Sequence, residues 1–286
     1  MTTATAPTDR PTGSGNPGRI SLSDAVTDTL VVTKRGLVRN VRLPQLLVFA
    51  TIQPVMFLLL FNYVFGGVMG MSIPPAANGE YINFLVPGLL VQVVVFGAGQ
   101  TAIGLTEDLG NGVIDRFRSL PMARSAVLAG RTIADLVRNA FVLALMLVAG
   151  FLMGFRFQTN WLQFLGGVGL ALGFAYALSW VMATMGLKIK NPEAVQSAIF
   201  IPVFPFVFAS SVFVPTDTMP TWLQAFAEHQ PVTIIANAIR GLMLGEGAMP
   251  AGQTVGVQSL IAVAWIIGLV AVFAPLAVRM YRRAVI

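Results

Sequence analysis

The sequence predicts an all-α integral membrane protein, and three observations support that prediction. Apolar residues make up 56% of the 286 residues and charged residues only 10%, whereas soluble domains carry about 25% charged residues. The mean hydropathy is +0.77. Apolar runs of about 20 residues, the length that crosses a bilayer as a helix, recur along the chain. A soluble core could not hide this much apolar surface with so little charge left to face water.

Six apolar segments are long enough to be transmembrane helices. We place them at about 46–69, 84–104, 137–156, 161–186, 194–214 and 254–278, within one transmembrane domain that covers 44–286. Residues 1–20 are rich in Pro, Gly, Thr and Ser, which is typical of a disordered tail. The chain contains no cysteine, which excludes disulfides and thiolate metal sites.

Basic residues predict the orientation, because the cytoplasmic loops of membrane proteins are enriched in Lys and Arg. Almost all of the 18 basic residues lie before the first span, in the loops after spans two and four, or after span six. The loops on the opposite side, after spans one, three and five, contain only Arg156 and Arg240. We therefore expect both termini in the cytoplasm. Cytoplasmic loops also account for the net charge of +6, so no nucleic-acid partner is expected.

Residues 21–43 precede the first span and repeat apolar residues at near-helical spacing, with basic residues late in the segment. Ser21 or Ser23 can cap a helix here, and Asp24 favours the positive end of its dipole. We interpret the segment as an amphipathic helix that lies on the inner membrane surface, and a plain solvated helix is the alternative. Pro44 then breaks the chain before the bilayer.

A short charged segment, 107–120, follows the second span and is stopped by Pro121. Its charged residues are Glu107, Asp108, Asp115, Arg116 and Arg118. Phe117 lies four residues after Val113 and three before Leu120, which gives a short helix one apolar face. A cytoplasmic loop surrounded by water has no need of such a face. The segment therefore packs back on this protein or docks on another, and the proline stop favours docking.

Three segments carry a family resemblance: YINFLVPGLLVQ (81–92), GNGVIDRFRSLPMARSAVLAGRTIADLVR (110–138) and HQPVTIIANAIRGLMLGEG (229–247). Together they resemble permeases of the ABC-2 transporter family, in particular the bacterial drug-resistance exporters of the daunorubicin/doxorubicin type. Each motif is degenerate alone, but their order and their positions relative to six spans are fairly specific. The resemblance covers nearly the whole chain except the N-terminal tail.

The resemblance implies an interfacial helix, six spans, and short re-entrant extracytoplasmic helices before the last span. It implies that two permeases, identical or paralogous, form a pathway above two copies of an ATP-binding cassette subunit. A coupling helix between spans two and three touches that subunit in the family. On this basis 107–120 is the coupling segment, with Phe117 as its apolar contact. The coupling residues would be Glu107, Asp115, Arg116, Phe117 and Arg118.

The resemblance also implies export of hydrophobic or amphipathic substrates, such as drugs, antibiotics or lipids, across the bacterial inner membrane. This chain itself lacks a Walker A loop, G-x-x-x-x-G-K-[ST], whose backbone amides and lysine cradle phosphates. Its only lysines, Lys34, Lys188 and Lys190, do not follow a glycine. We therefore expect no enzyme activity and no bound cofactor in this chain, and the partner subunit would use ATP and Mg.

Polar and aromatic residues inside the spans are candidates for a substrate pathway. Gln53, Gln92 and Gln100 lie within the first two spans. Polar groups in lipid usually face the bundle interior, where they either hydrogen-bond helices together or line a pathway. Phe204 and Phe208 of the fifth span either line a path for flat apolar substrates or face lipid.

Arg131, Asp135 and Arg138 follow each other at helical spacing near the start of the third span. A charge at the bilayer centre costs about 2.5–3.5 kcal/mol on insertion scales. We therefore expect an ion-paired anchor at the cytoplasmic face, with Arg138 snorkelling and paired to Asp135.

Two other functions fit the residues less well. An intramembrane serine protease needs a histidine within the bilayer, but the single histidine, His229, lies outside the spans, and a helix-end hydrogen bond is its simpler role. With no cysteine and no second histidine, a metal site is not expected. A secondary transporter driven by an ion gradient uses carboxylates or broken helices near the midplane, and no Asp or Glu lies mid-span. Ion-gradient transport is the alternative to an exporter permease, and the substrate is left open.

Overall fold

The computed structural model describes residues 22–42, 44–69, 73–74, 77–111, 124–189, 191–250 and 252–284, and every regular element within them is helical. The helices are α1 (Leu22–Arg42), α2 (Pro44–Leu60), α3 (Tyr81–Gly110), α4 (Arg124–Leu152), α5 (Trp161–Lys188), α6 (Pro192–Phe208), α7 (Thr221–His229), α8 (Pro231–Leu244) and α9 (Val255–Ala284). α2 continues through a π-helical turn, Phe61–Phe65, and a last turn, Gly66–Met69. The all-α prediction is confirmed for these residues, and the predicted tail 1–20 lies outside them.

Five helical segments in the described part of the chain are long and apolar enough to cross a membrane. They are Val48–Met69, Tyr81–Gly110, Ala126–Leu152, Trp161–Lys188 and Val255–Arg283. They correspond to five of the six predicted spans. The third begins well before the predicted residue 137, because its first turns carry charges that lower the local hydropathy.

The predicted fifth span, 194–214, is helical only as far as Phe208. α6 has 17 residues and is about 25 Å long, shorter than the bilayer core of about 30 Å. Prediction of a helix through residue 214 is wrong, because the chain turns between 209 and 214. Ser210, Ser211 and Val212 there are buried inside the protein. Apolar character continues past the helix end because this turn packs against protein.

α3 is the centre of the helical bundle. Its most apolar stretch is 89% buried, whereas the corresponding stretches of α2 and α9 are only 11% buried. α3 packs against α4, α5, α6 and α8. A Cβ at Gly186 of α5 would lie 2.6 Å from the carbonyl oxygen of Ala102 in α3, and a Cβ at Gly88 would overlap the backbone of Val212. Glycine is therefore needed where α3 meets α5 and the 209–214 turn.

α1 packs along the first half of α4 through small residues. A Cβ at Gly36 would lie 2.7 Å from the Cβ of Ala134. The hydroxyl of Thr33 donates across the contact to the carbonyl oxygen of Gly130 at 3.2 Å. α1 is thus fixed to the helix that follows the predicted coupling segment.

α7 and α8 connect α6 to α9 and include the only histidine of the chain. The ring Nδ1 of His229 lies 2.9 Å from the carbonyl oxygen of Ala225, which closes the last turn of α7. α8 has 14 residues and a length of about 21 Å, too short to cross a bilayer. It packs against α3, α5 and α9, so its apolar residues are buried by protein.

Candidate functional site

A cavity with both polar and apolar lining lies between α2, α3 and α4, and its volume is about 310 Å³. We name it the amide cavity after its polar lining, which consists of Gln53, Gln92, Gln100, Arg138 and Asn139. Its apolar lining consists of Phe49, Ala50, Pro54, Val93, Phe96, Gly97 and Val142. The three glutamines predicted from the sequence therefore meet at one site. None of these described lining residues is a carboxylate.

Two amide groups of the cavity are buried without a hydrogen-bond partner among the described residues. They are Oε1 of Gln92, a residue only 2% exposed, and Nδ2 of Asn139, a residue only 1% exposed. A buried polar atom without a partner costs about 1–3 kcal/mol. Glutamines that only held helices together would pair with each other or with the backbone. The arrangement therefore favours a site that binds polar atoms from outside the chain.

Arg138 lies halfway along α4 and reaches the backbone of α3. Its Nη2 donates to the carbonyl oxygen of Gly97 at 2.7 Å. A Cβ at Gly97 would overlap the side-chain oxygen of Asn139, so a larger residue at this crossing would have to displace that amide. The expected pairing of Arg138 with Asp135 in an anchor at the cytoplasmic face stays a prediction.

A ladder of phenylalanine rings leads from the amide cavity along α6. The aromatic ladder consists, in order of contact, of Phe96, Phe200, Phe204, Phe208, Phe213 and Phe61. Successive ring centroids lie 5.9, 5.6, 4.2, 4.9 and 4.4 Å apart. Phe204 and Phe208 are its middle rings, and Phe200 is half exposed. Such rings offer stacking surfaces to flat apolar groups.

An ion-paired cluster joins the end of α3 to the start of α4. Arg131 pairs through Nη1 with the carboxylate of Asp108, and its Nε lies 3.8 Å from Oδ2 of Asp135. The same Oδ2 accepts a hydrogen bond from the hydroxyl of Thr101 at 2.8 Å. Gly104 makes room for the arginine, because a Cβ there would overlap Nη2 of Arg131. We name Asp108, Arg131 and Asp135 the Arg131 clamp.

The predicted coupling residues are only partly within the described chain. Glu107 lies exposed in the last turn of α3. Asp115, Arg116, Phe117 and Arg118 lie outside the described residues, so their role stays a prediction.

Arg240 is the residue that sequence reasoning missed. From the sequence it is expected in an outer loop, but it lies on α8 and is only 1% exposed. Its guanidinium donates to the carbonyl oxygens of Phe84 at 3.2 Å and Ser211 at 2.9 Å, and to Oδ1 of Asn237 at 2.8 Å. Its Cζ lies 3.7 Å from the centre of the Phe84 ring. A single charge within the apolar run PVTIIANAIRGLML was the available signal.

Comparison with known proteins identifies the family. The family model described as ABC-2 type transporter matches residues 27–244, which include the amide cavity, the Arg131 clamp and Arg240. The chain belongs to the ABC-2 type transporter family. The family inferred from the three sequence segments is therefore confirmed.

Several permeases are similar to this chain over most of its length. The daunorubicin resistance ABC transporter permease protein DrrB1 of Streptomyces coeruleorubidus is 36% identical over 265 residues, which cover 92% of this chain and 89% of that protein. The probable doxorubicin resistance ABC transporter permease protein DrrC of Mycobacterium tuberculosis is 28% identical over 280 residues, which cover 98% of this chain and 95% of that protein. The putative transport permease ycf38 of Cyanophora paradoxa is 24% identical over 221 residues, which cover 76% of this chain and 74% of that protein.

Proposed function

We propose that this chain is the transmembrane permease subunit of an ATP-driven exporter of hydrophobic or amphipathic compounds in the bacterial inner membrane. The amide cavity is the observation that carries the proposal. It offers buried amide atoms without partners beside phenylalanine rings, the combination that binds the polar and apolar parts of an amphiphile. The names of the similar permeases, which refer to daunorubicin and doxorubicin resistance, support a drug-like substrate.

The aromatic ladder would guide the apolar part of a substrate away from the cavity. α2 and α6 on either side of it leave large apolar side chains exposed, among them Phe49, Tyr63 and Ile201. A second permease, identical or paralogous, would cover these faces and enclose the pathway, and lipid would cover the remaining apolar surface. α7 and α8 would form the re-entrant outer segment, because α8 is too short to span.

Energy would come from two copies of an ATP-binding cassette subunit that use ATP and Mg. Segment 107–120 would dock on them. The Arg131 clamp joins the two helices on either side of that segment, so a push on the segment would move α3 and α4 together. α1 packs on α4 and keeps Val26 and Leu30 exposed, which suits a helix on the inner membrane surface.

The proposed orientation predicts which positions a membrane-impermeant thiol reagent reaches. The natural chain has no cysteine, so any labelling by the reagent comes from the single cysteine that is introduced. Cysteines replacing Thr221 and Gly247 should label in intact cells. Cysteines replacing Asn111 and Arg283 should label only after permeabilisation. Labelling of Asn111→Cys in intact cells would contradict the orientation and, with it, the docking of 107–120.

Transport in inside-out vesicles tests the function directly. The permease and its cassette subunit are co-expressed, and uptake of a panel of fluorescent amphiphiles, daunorubicin among them, is measured. Uptake should require ATP and persist when ionophores dissipate ion gradients. Gln92→Leu should lower the transport rate about fivefold, the effect of losing one hydrogen bond of about 1 kcal/mol. Gln163→Leu, an exposed position on α5 outside the cavity, is the matched control.

The opposite result would support the alternative. Uptake that needs a proton gradient and continues without ATP indicates an ion-gradient-driven secondary transporter. Equal uptake rates for Gln92→Leu and Gln163→Leu would show that the amide cavity has no part in transport.

A further inference from the structure

We propose that the amide cavity selects uncharged amphiphiles whose polar group both donates and accepts hydrogen bonds, as a primary amide or a hydroxy ketone does. The proposal rests on the proposed function, because it assigns a substrate class to the same cavity. It goes beyond that function in stating the hydrogen-bonding character and the charge of the substrate.

The cavity contains one buried acceptor and one buried donor, and both lack a partner among the described residues. The acceptor is Oε1 of Gln92 on α3, and the donor is Nδ2 of Asn139 on α4. The two residues are 2% and 1% exposed, so both amides are held inside the protein. The amides line one cavity but do not bond to each other. A polar group bound there therefore satisfies both only if it carries a donor and an acceptor.

The amide of Asn139 is oriented by its contact with α3. A Cβ at Gly97 would overlap Oδ1 of Asn139 but would lie 3.4 Å from Nδ2. The oxygen of this amide therefore lies against Gly97, and Nδ2 is the atom farther from that glycine. Packing against α3 limits rotation of the amide, so its donor is positioned before a ligand binds and loses less freedom on binding.

Charged polar groups satisfy only half of this pair. A carboxylate accepts hydrogen bonds but does not donate them, so it leaves Oε1 of Gln92 without a donor. An ammonium group donates but does not accept, so it leaves Nδ2 of Asn139 without an acceptor. Arg138 is already engaged, since its Nη2 donates to the carbonyl oxygen of Gly97 at 2.7 Å. The two unpaired amide atoms therefore favour an uncharged group that offers both functions.

The rest of the lining suits an amphiphile. Gln53 and Gln100 contribute further amides, which donate and accept without adding charge. Phe49, Pro54 and Phe96 form an apolar wall beside them. A volume of about 310 Å³ holds a polar group and a short part of an apolar body. Phe96 is also the first ring of the aromatic ladder, so the rest of the body can lie along α6.

Three fluorescent probes that differ only in their polar end test the proposal. We would titrate the permease–cassette complex, in nanodiscs of phosphatidylcholine, with 11-(dansylamino)undecanamide, with its N,N-dimethyl amide and with the corresponding amine. The dimethyl amide accepts but does not donate, and the protonated amine donates but does not accept. The primary amide should bind at least about fivefold more tightly than either, the factor that one hydrogen bond of about 1 kcal/mol supplies. Titration of empty nanodiscs corrects each affinity for partition into lipid.

Substitution of each amide should remove one contact and spare the other. Gln92→Met should lower the affinity for the primary amide about fivefold and leave that for the dimethyl amide unchanged, because the dimethyl amide has no donor for Oε1. Asn139→Leu should lower the affinities for both amides and leave that for the amine unchanged. Both variants should fold, since each replaces a buried polar group that lacks a partner with an apolar side chain of similar size. Gln163→Met, at an exposed position on α5, is the matched control.

Equal affinities for the primary amide and the dimethyl amide overturn the inference, and so does a preference that survives both substitutions. A preference for the primary amide in a complex without ATP-dependent transport retains the inference about the cavity and rejects the exporter function. ATP-dependent transport by a complex without that preference retains the exporter function and rejects the inference.

A neutral membrane lipid can offer the same chemistry, since diacylglycerol carries a hydroxyl beside an ester carbonyl. A second arm therefore adds dioleoylglycerol to the nanodiscs. Competition with the primary amide assigns the ligand to a membrane lipid, and an unchanged affinity assigns it to an amphiphile that enters from solution. Both results retain the requirement for a donor and an acceptor on one uncharged group.

Discussion

Replacing Arg240 with methionine is expected to destabilise the permease by about 1–3 kcal/mol, the cost of leaving buried acceptors without a donor. Methionine fills much of the arginine volume, so the loss is mainly polar. The carbonyl oxygens of Phe84 and Ser211 and the amide oxygen of Asn237 would lose donors inside the protein. The contact with the Phe84 ring would also lose its charge.

The measurement is folded yield and melting temperature of the purified permease in detergent. Arg156→Met is the matched control, because Arg156 is exposed and bonds mainly to neighbouring backbone carbonyls. Arg240→Lys should also be unstable, since a single ammonium cannot reach three acceptors and stack on a ring at the same time. An Arg240→Met protein that expresses and melts like Arg156→Met would show that the network contributes little to stability.

Most spans could be predicted from the sequence, but their arrangement could not. Hydropathy reports that a residue avoids water, and lipid and protein interior satisfy that condition equally well. α3 and α9 therefore look alike in sequence, although one is the centre of the bundle and the other is mostly exposed. The turn at 209–214 was missed for the same reason, since its residues are apolar and lie inside the protein.

The sequence could predict which residues contribute to the candidate site, but not where in the fold they meet. Polar side chains in a span are expected to face the interior, which singled out Gln53, Gln92 and Gln100. Their meeting point depends on how α2, α3 and α4 cross, and single-sequence periodicity does not contain that information. The third span was predicted to begin only at 137 because the charges of Arg131 and Asp135 lower the local hydropathy, whereas the structure has it from Ala126. Both charges are paired in the structure, so the helix tolerates them.

Gly104→Ala is expected to uncouple transport from ATP hydrolysis with little loss of stability. The new Cβ would overlap Nη2 of Arg131, the far end of a flexible side chain, which can move away without displacing the backbone. Arg131 would then lose its pairing with Asp108, while α3 itself gains slightly because alanine favours helix over glycine. The two helices beside the proposed coupling segment would no longer be linked by the clamp.

Transport per ATP hydrolysed should fall by about two- to thirtyfold, the range that 0.5–2 kcal/mol of coupling free energy spans. Gly169→Ala is the matched control, because it makes the same change on α5, outside the coupling segment, where a Cβ meets nothing within 4 Å. Arg131→Gln should reproduce the defect. The double variant Gly104→Ala/Arg131→Gln should be no worse than Arg131→Gln alone, since both changes remove the same ion pair. Additive losses would mean that Gly104 acts through helix packing and not through the clamp.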